Sequence, residues 1–316
     1  MKVIFNNLSI CLFLMILVLV GCKTEKKADA TKEDVKIEKE NIIEIITRSM
    51  EFQSPDTIAS GWNTFRYQNL SNETHFVVFE KYPEGITIDS TRTQVFPVFD
   101  KGMDLINEGK NEEGFTAFNK LPVWFFNVEF TGGIGLLSPN KMAESTINLD
   151  PGRYLIECYV KMKNGKFHSV MGMCKEIIVT DSNSNNNEPI ANVDVEISSE
   201  NGIVFNPAIK SGENMFKVQF IDQKAHEHFL GHDVNIVKLN EGANEETLEA
   251  WLNWVNPKGL IDPAPNNVIF LGGMQEMIAG KEGYFKVNLQ PGKYALVAEV
   301  PNAIGKNMLK TFQIVD

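Results

Sequence analysis

The chain has 316 residues, 43% of them apolar, with 41 acidic against 30 basic side chains and a formal net charge of -11. That balance, with an isoelectric point near 5.1, speaks against nucleic acid as a partner, because phosphates demand a basic face. The apolar fraction is enough to give each of two ordinary domains a core.

Residues 1–21 read as an export signal: Lys2 gives a positive start, Leu8 to Val20 is almost wholly apolar yet short for a bilayer span, and Gly21 precedes Cys22. Leu19-Val20-Gly21-Cys22 resembles the bacterial lipobox. The resemblance implies cleavage before Cys22 and acylation of its sulfur and new amino terminus. Several acyl chains at about 0.8 kcal/mol per buried methylene exceed what stable anchoring needs. The bland reading is an ordinary signal peptide with an incidental cysteine. Lys23 to Glu40 is rich in Lys, Glu, Asp, Ala and Thr and has almost nothing to bury, so a flexible tether is expected over 22–49. Lys23 is not the aspartate that retains enterobacterial lipoproteins at the inner membrane. The expected location is therefore the bacterial cell envelope, at the outer membrane, with the membrane as partner through the lipid anchor.

The remaining chain repeats itself. Thr131-Gly132-Gly133 and Asn148-Leu149-Asp150-Pro151-Gly152-Arg153-Tyr154-Leu155 recur as Leu271-Gly272-Gly273 and Asn288-Leu289-Gln290-Pro291-Gly292-Lys293-Tyr294-Ala295, all at one offset of 140. Earlier, Ser60-Gly61, Phe65 and His75 match Ser211-Gly212, Phe216 and His232 after a shift that loops of different length explain. Asp181 to Glu188 is a Ser/Asn run with nothing to pack, which predicts a linker over 181–191 between domains at 50–180 and 192–316.

Each half is a series of short β-branched and aromatic runs separated by Gly, Pro and Asn, such as His75 to Phe79, Ser145 to Leu149 and Tyr154 to Val160. Short helices are expected near Phe99 to Glu108 and Glu245 to Val255. The fold class that follows is all-β, two tandem small antiparallel Greek-key sandwiches. The paired glycines read as turns needing positive φ rather than a phosphate cradle.

His75 starts an early strand, and Cys158, His168 and Met173 follow in that order some eighty residues later. A thiolate, two imidazoles and a weak thioether are the ligand types of a blue-copper centre. The arrangement resembles the cupredoxins, in which one histidine comes from an early strand and Cys, His and Met from the loop joining the last two strands. The loop spacing is similar to that of the type 1 copper site of copper nitrite reductases, and the flanking text resembles exported bacterial cupredoxin-like proteins. The resemblance implies one copper, held by His75, Cys158, His168 and Met173 in the first domain.

Alternatives stay open on the residues alone. Cys158 can be a small buried hydrophobe or bridge Cys174 in an oxidising compartment. Strand alternation opposes the bridge, since Cys174 follows Met173 and points to the other face. His75 can be a core or rim histidine, His168 an exposed loop residue, and Met171 competes with Met173.

In the second half, Ala298 stands opposite Cys158, and a hairpin shortened by five residues removes counterparts of His168 and Met173. His226, His228 and His232 form a cluster that can bind zinc or copper(II), or simply sit in an exposed polar loop. No P-loop, dinucleotide fingerprint or nucleophile elbow occurs, and the five histidines cannot readily supply a nitrite reductase catalytic copper. The expected function is copper-dependent electron transfer or copper handling by a non-enzymatic envelope lipoprotein with a redox protein partner. The alternative is a metal-free sandwich module that binds a protein or envelope polymer.

Overall fold

The computed structural model describes residues 41–315, the side chain of His228 excepted. Cys22, the signal segment and most of the tether lie outside the described residues. The first half contributes strands β1 (Ile42–Thr47), β2 (Thr57–Asn69), β3 (His75–Lys81), β4 (Glu129–Leu137), β5 (Lys141–Leu149), β6 (Gly152–Glu157) and β7 (Cys174–Asn183). The second contributes β8 (Val193–Ser198), β9 (Gly202–Phe205), β10 (Gly212–Phe220), β11 (Val234–Leu239), β12 (Val268–Met274), β13 (Glu282–Leu289), β14 (Gly292–Val297) and β15 (Leu309–Ile314).

The fold is all-β, a sandwich of two sheet layers. One layer runs β1-β2-β5-β13-β10-β8-β9 and the other β15-β14-β11-β12-β4-β3-β6-β7. The long β2 joins them: past Gly61, which adopts φ +88, it pairs with β5, while Thr57–Ser60 pairs with β7. Phe65 of β2 meets Phe79 of β3 across the sandwich, ring centroids 4.6 Å apart and both fully buried. The pairing is mixed rather than antiparallel throughout, since β1 with β2, β2 with β7, and β8 with β10 are parallel.

The sequence repeat is a structural repeat. Tyr154 and Tyr294 each donate from the phenol to a carbonyl four residues back, Asp150 and Gln290, both at 2.8 Å, which pins the Pro-Gly corner before the strand. The repeat also reaches further back than expected. Ile42–Thr47, inside the stretch expected as tether, is strand β1, and it lies parallel beside β2 as β8 lies beside β10. Ile45 and Thr47 are fully buried, so this stretch does have a core to pack against.

Gly132-Gly133 and Gly272-Gly273 are not turns. They sit inside β4 and β12 at register shifts opposite β3 and β11, which are β-bulges. The two halves pair through β4 with β12 and β5 with β13. Across the second seam Arg66, Glu144 and Lys286 form an ion-pair chain, with Arg66 to Glu144 at 2.6 Å and Lys286 to Glu144 at 2.8 Å. Burial alone would raise the Glu144 carboxyl, but hydrogen bonds from Lys286 and Arg66 outweigh it and hold it below the ordinary range. Of the stretch expected as a linker, residues 181–183 belong to β7, and Ser184 and Asn186 donate to the Trp62 carbonyl.

The two expected helices form, at Phe96–Asn107 and Glu245–Leu252. The first belongs to a helical insertion over residues 88–127. β3, unlike the half-exposed β8, is buried on both faces, in agreement with a strand covered on its outer side as well.

Candidate metal centre

His75 is the first residue of β3, and Cys158 follows the last residue of β6, the strand that pairs with β3. The loop between β6 and β7 closes on itself. The Met162 N–H donates to the Lys166 carbonyl at 2.8 Å, and Gly165 turns the chain at φ +80. His168 then donates to the Val160 carbonyl at 2.8 Å, Met173 to the His168 carbonyl at 2.9 Å, and Cys158 to the Met173 carbonyl at 3.3 Å. Three backbone bonds thus fix the cysteine, the histidine and the methionine against one another.

His75 Nδ1 and His168 Nδ1 are 3.1 Å apart, and Cys158 Sγ is 3.7 Å from each. All three side chains are fully buried. Among the described residues they form the group of three ligand-type side chains that could hold a metal ion. The centre of this triangle is about 2.0 Å from every corner, which matches metal–imidazole bond lengths of ~2.0–2.1 Å. The residues therefore fit a small trigonal site of two nitrogens and one sulfur, of the kind copper takes.

Electrostatics prepare the nitrogens as ligands. Burial, and then the neighbouring His168, lowers His75 to about 3, and burial lowers His168 to about 4, so both rings are neutral at pH 7. Burial pushes the Cys158 thiol up to about 12, against the pull of the Phe76 and Val160 amides. The site thus offers two free imidazole lone pairs and a thiol whose proton a metal must displace.

Met173 is fully buried and joined to Cys158 through its carbonyl, whereas Met171 is 50% exposed. Both cysteines within the described residues are free. Cys174 pairs with Glu157 across β6 and β7, one position out of step with Cys158. The strand alternation that opposed a bridge is the arrangement found. His168 is buried rather than an exposed loop residue.

Two supporting residues were not evident in the sequence. Glu73 places Oε2 3.2 Å from His168 Nε2, beside the ring atom facing away from the triangle, though not aligned as a hydrogen bond. A carboxylate in this place can orient a ligating imidazole once the ring N–H turns onto it. Its position two residues before His75 carries no periodic or motif signal. Lys161 is fully buried, and its Nζ donates to the carbonyls of Trp254 and Asn256, both at 2.9 Å, while its N–H donates to Leu260 at 2.7 Å. The metal loop is therefore held by the second half. Replacing Lys161 by methionine should remove both side-chain bonds, leaving the Asn256 carbonyl with the Gly259 N–H alone, and cost about 1–3 kcal/mol, read as a lowered midpoint in urea. A loss below ~0.5 kcal/mol would show that these bonds do not hold the loop.

The second half retains part of the same frame. Ala298, fully buried, donates to the Met308 carbonyl at 2.9 Å as Cys158 does to Met173. Met308 is therefore the counterpart of Met173, contrary to the expectation that the shorter hairpin removed it. The five missing residues fall within the hairpin ahead of Met308. His232 is fully buried, not part of an exposed loop, and its Nε2 lies 2.9 Å from His226 Nε2. The His228 side chain lies outside the described residues.

No protein-family model and no curated protein matches the sequence. Solved structures similar to the chain include reduced auracyanin from Roseiflexus castenholzii, at 20% identity over 44% of this chain and 96% of that one, with a TM-score of 0.26. Others are a Cu-containing nitrite reductase from Thermus scotoductus, at 12% identity over 87% and 61% with a TM-score of 0.21, and rusticyanin from Thiobacillus ferrooxidans, at 16% over 39% and 75% with a TM-score of 0.24.

Proposed function

We propose that this protein is a lipid-anchored electron carrier or copper-handling protein of the bacterial cell envelope, working through one copper that His75, Cys158 and His168 would hold, with Met173 as a further weak donor. The observation that carries the reading is the buried triangle of two Nδ1 atoms and one Sγ, with both imidazoles neutral. Bound copper would supply a one-electron couple. The chain's own part is to fix the donors, exclude water and place the couple near a partner's docking face.

Burial favours electron transfer over catalysis, because all three donors are shut off from solvent, leaving no evident coordination position open to a substrate. Rigidity favours it too. Backbone bonds tie Cys158, His168 and Met173 together, and the Lys161 contacts hold their loop to the second half. Little rearrangement then accompanies a change of charge. A redox protein is the proposed partner.

Adding copper(II) to reduced, purified protein should give a strong thiolate-to-copper band toward the red end of the visible spectrum. If no copper is taken up, the facing imidazoles are a hydrogen-bonded pair, and the protein is a metal-free binding module. The anchor has its own test. Cys22→Ala should block lipid attachment and leave unprocessed precursor, and mass spectrometry finding an unlipidated mature chain in wild-type cells would remove the anchor from this reading.

A further inference from the structure

On the opposite side of β6 from Cys158 lies a cavity of about 100 Å³, open on one side, between β3, β6, the helical insertion of residues 88–127 and second-half residues near Phe229 and Trp254. Its walls are aromatic. Phe99 is the hub, with ring centroids 5.7 Å from Phe125, 6.1 Å from Phe167 and 6.5 Å from Phe229, and Phe167 lies 5.5 Å from Trp254. Phe229, 41% exposed, stands at its solvent side.

Three carboxyl groups, Glu80, Glu157 and Glu276, also line this apolar chamber. Val78 is paired with Glu157 and Glu80 with Leu155, so Glu80 and Glu157 are diagonal neighbours on one face. Glu80 is 8% exposed. Glu276 accepts a bond from the Gly231 N–H at 3.2 Å, and burial pushes its carboxyl up to about 8. Among the described residues that line the cavity there is no lysine, arginine or histidine. Glu80 hydrogen-bonds to Glu157, and buried carboxyls without a cation escape the cost of charge by keeping their protons; a cation set among them releases those protons, and aromatic rings attract a cation.

We propose that this cavity binds a small organic ammonium ion with an apolar body, its charge set against Glu80, Glu157 and Glu276 and its body held among Phe99, Phe167 and Phe229. The guest supplies the positive charge that the walls lack. The proposal is independent of copper, since Glu157 lines the cavity while the adjacent Cys158 faces the other way and Glu80 and Glu276 lie on other segments, and it is tested without metal.

The experiment is titration of metal-free Cys158→Ser protein with phenethylammonium chloride and, separately, with the neutral isostere 2-phenylethanol, followed by calorimetry and by the fluorescence of Trp124 and Trp254 on the cavity wall. Saturable one-to-one binding is expected, with the ammonium at least about tenfold tighter than the alcohol. Glu157→Gln should bring the ammonium down to the level of the alcohol. Phe229→Ala, at a half-exposed side chain, should weaken the ammonium severalfold without moving the melting temperature. Where Glu157→Gln does not fold, the comparison of the two probes on the parent protein and the Phe229→Ala variant decide. Equal or tighter binding of the alcohol, no saturable binding of the ammonium, or indifference to Glu157→Gln in a folded variant each overturns the proposal.

Discussion

Replacing Cys158 by serine will abolish the copper-dependent colour and the copper-dependent rise in melting temperature, while the metal-free protein keeps nearly its full stability. The sulfur is the one soft donor of the triangle, 3.7 Å from each Nδ1, and a hydroxyl in its place is a far weaker copper ligand. The substitution is nearly isosteric, and the Phe76 and Val160 amides that point at Sγ can serve the hydroxyl, so the folded metal-free chain loses only about 1 kcal/mol. Copper at a hundred times its dissociation constant should stabilise the parent by ~2.7 kcal/mol and the variant by nothing.

Two controls sharpen the result. Met173→Leu should keep the colour and change the reduction potential, because a thioether donor from Met173 would tune the couple without carrying the charge-transfer band. Cys174→Ala should leave the colour unchanged and cost only about 1 kcal/mol of packing, since Cys174 is a buried free thiol out of step with Cys158. Paired thermal melts with and without copper(II) read all three variants. Equal copper responses in the parent and Cys158→Ser would remove the copper reading.

Local order was legible in the sequence. The Pro-Gly-x-Tyr corners, the alternating strands and the Cys158-to-Met173 loop express short-range geometry, and the structure places His75, 83 residues before Cys158, in one triangle with Cys158 and His168. What stayed hidden depends on contacts distant in the chain. β1 looked like tether because its apolar residues gain meaning only beside β2, across Thr64 to Asn69. Lys161 looked like an ordinary loop lysine, because the carbonyls it bonds are more than ninety residues away. The aromatic cavity is assembled from β3, β6, the insertion and residues near Phe229, which share no sequence pattern. The Gly-Gly pairs gave the right conformation and the wrong place: positive φ was readable, but a bulge differs from a turn only in what lies across the strand.

That bulge sets the last expected result. Gly133 adopts φ +142, and a Cβ there would stand 2.0 Å from the Val77 carbonyl oxygen; Gly273 adopts φ +138, and its Cβ would stand 2.1 Å from the Val234 carbonyl oxygen. Both obstacles are backbone on the neighbouring strand, so they can yield only by breaking the ladder. Alanine at either position should therefore cost at least about 3 kcal/mol. Gly85, with φ +80 and nothing within 4 Å of an added Cβ, is the control, and alanine there should cost only ~1–2 kcal/mol of backbone strain. Gly133→Ala presses on Val77, two residues along β3 from His75, and should abolish copper uptake directly. Gly273→Ala lies in the other half, yet β12 pairs with β4, and the Trp254 and Asn256 carbonyls hold Lys161 in the metal loop. It should therefore weaken copper binding at the distant triangle and unfold in one transition with it, followed by copper colour and near-ultraviolet circular dichroism on the same sample. Two separate transitions, the first leaving the copper colour intact, would mean that the halves fold independently and that the seams between them transmit little.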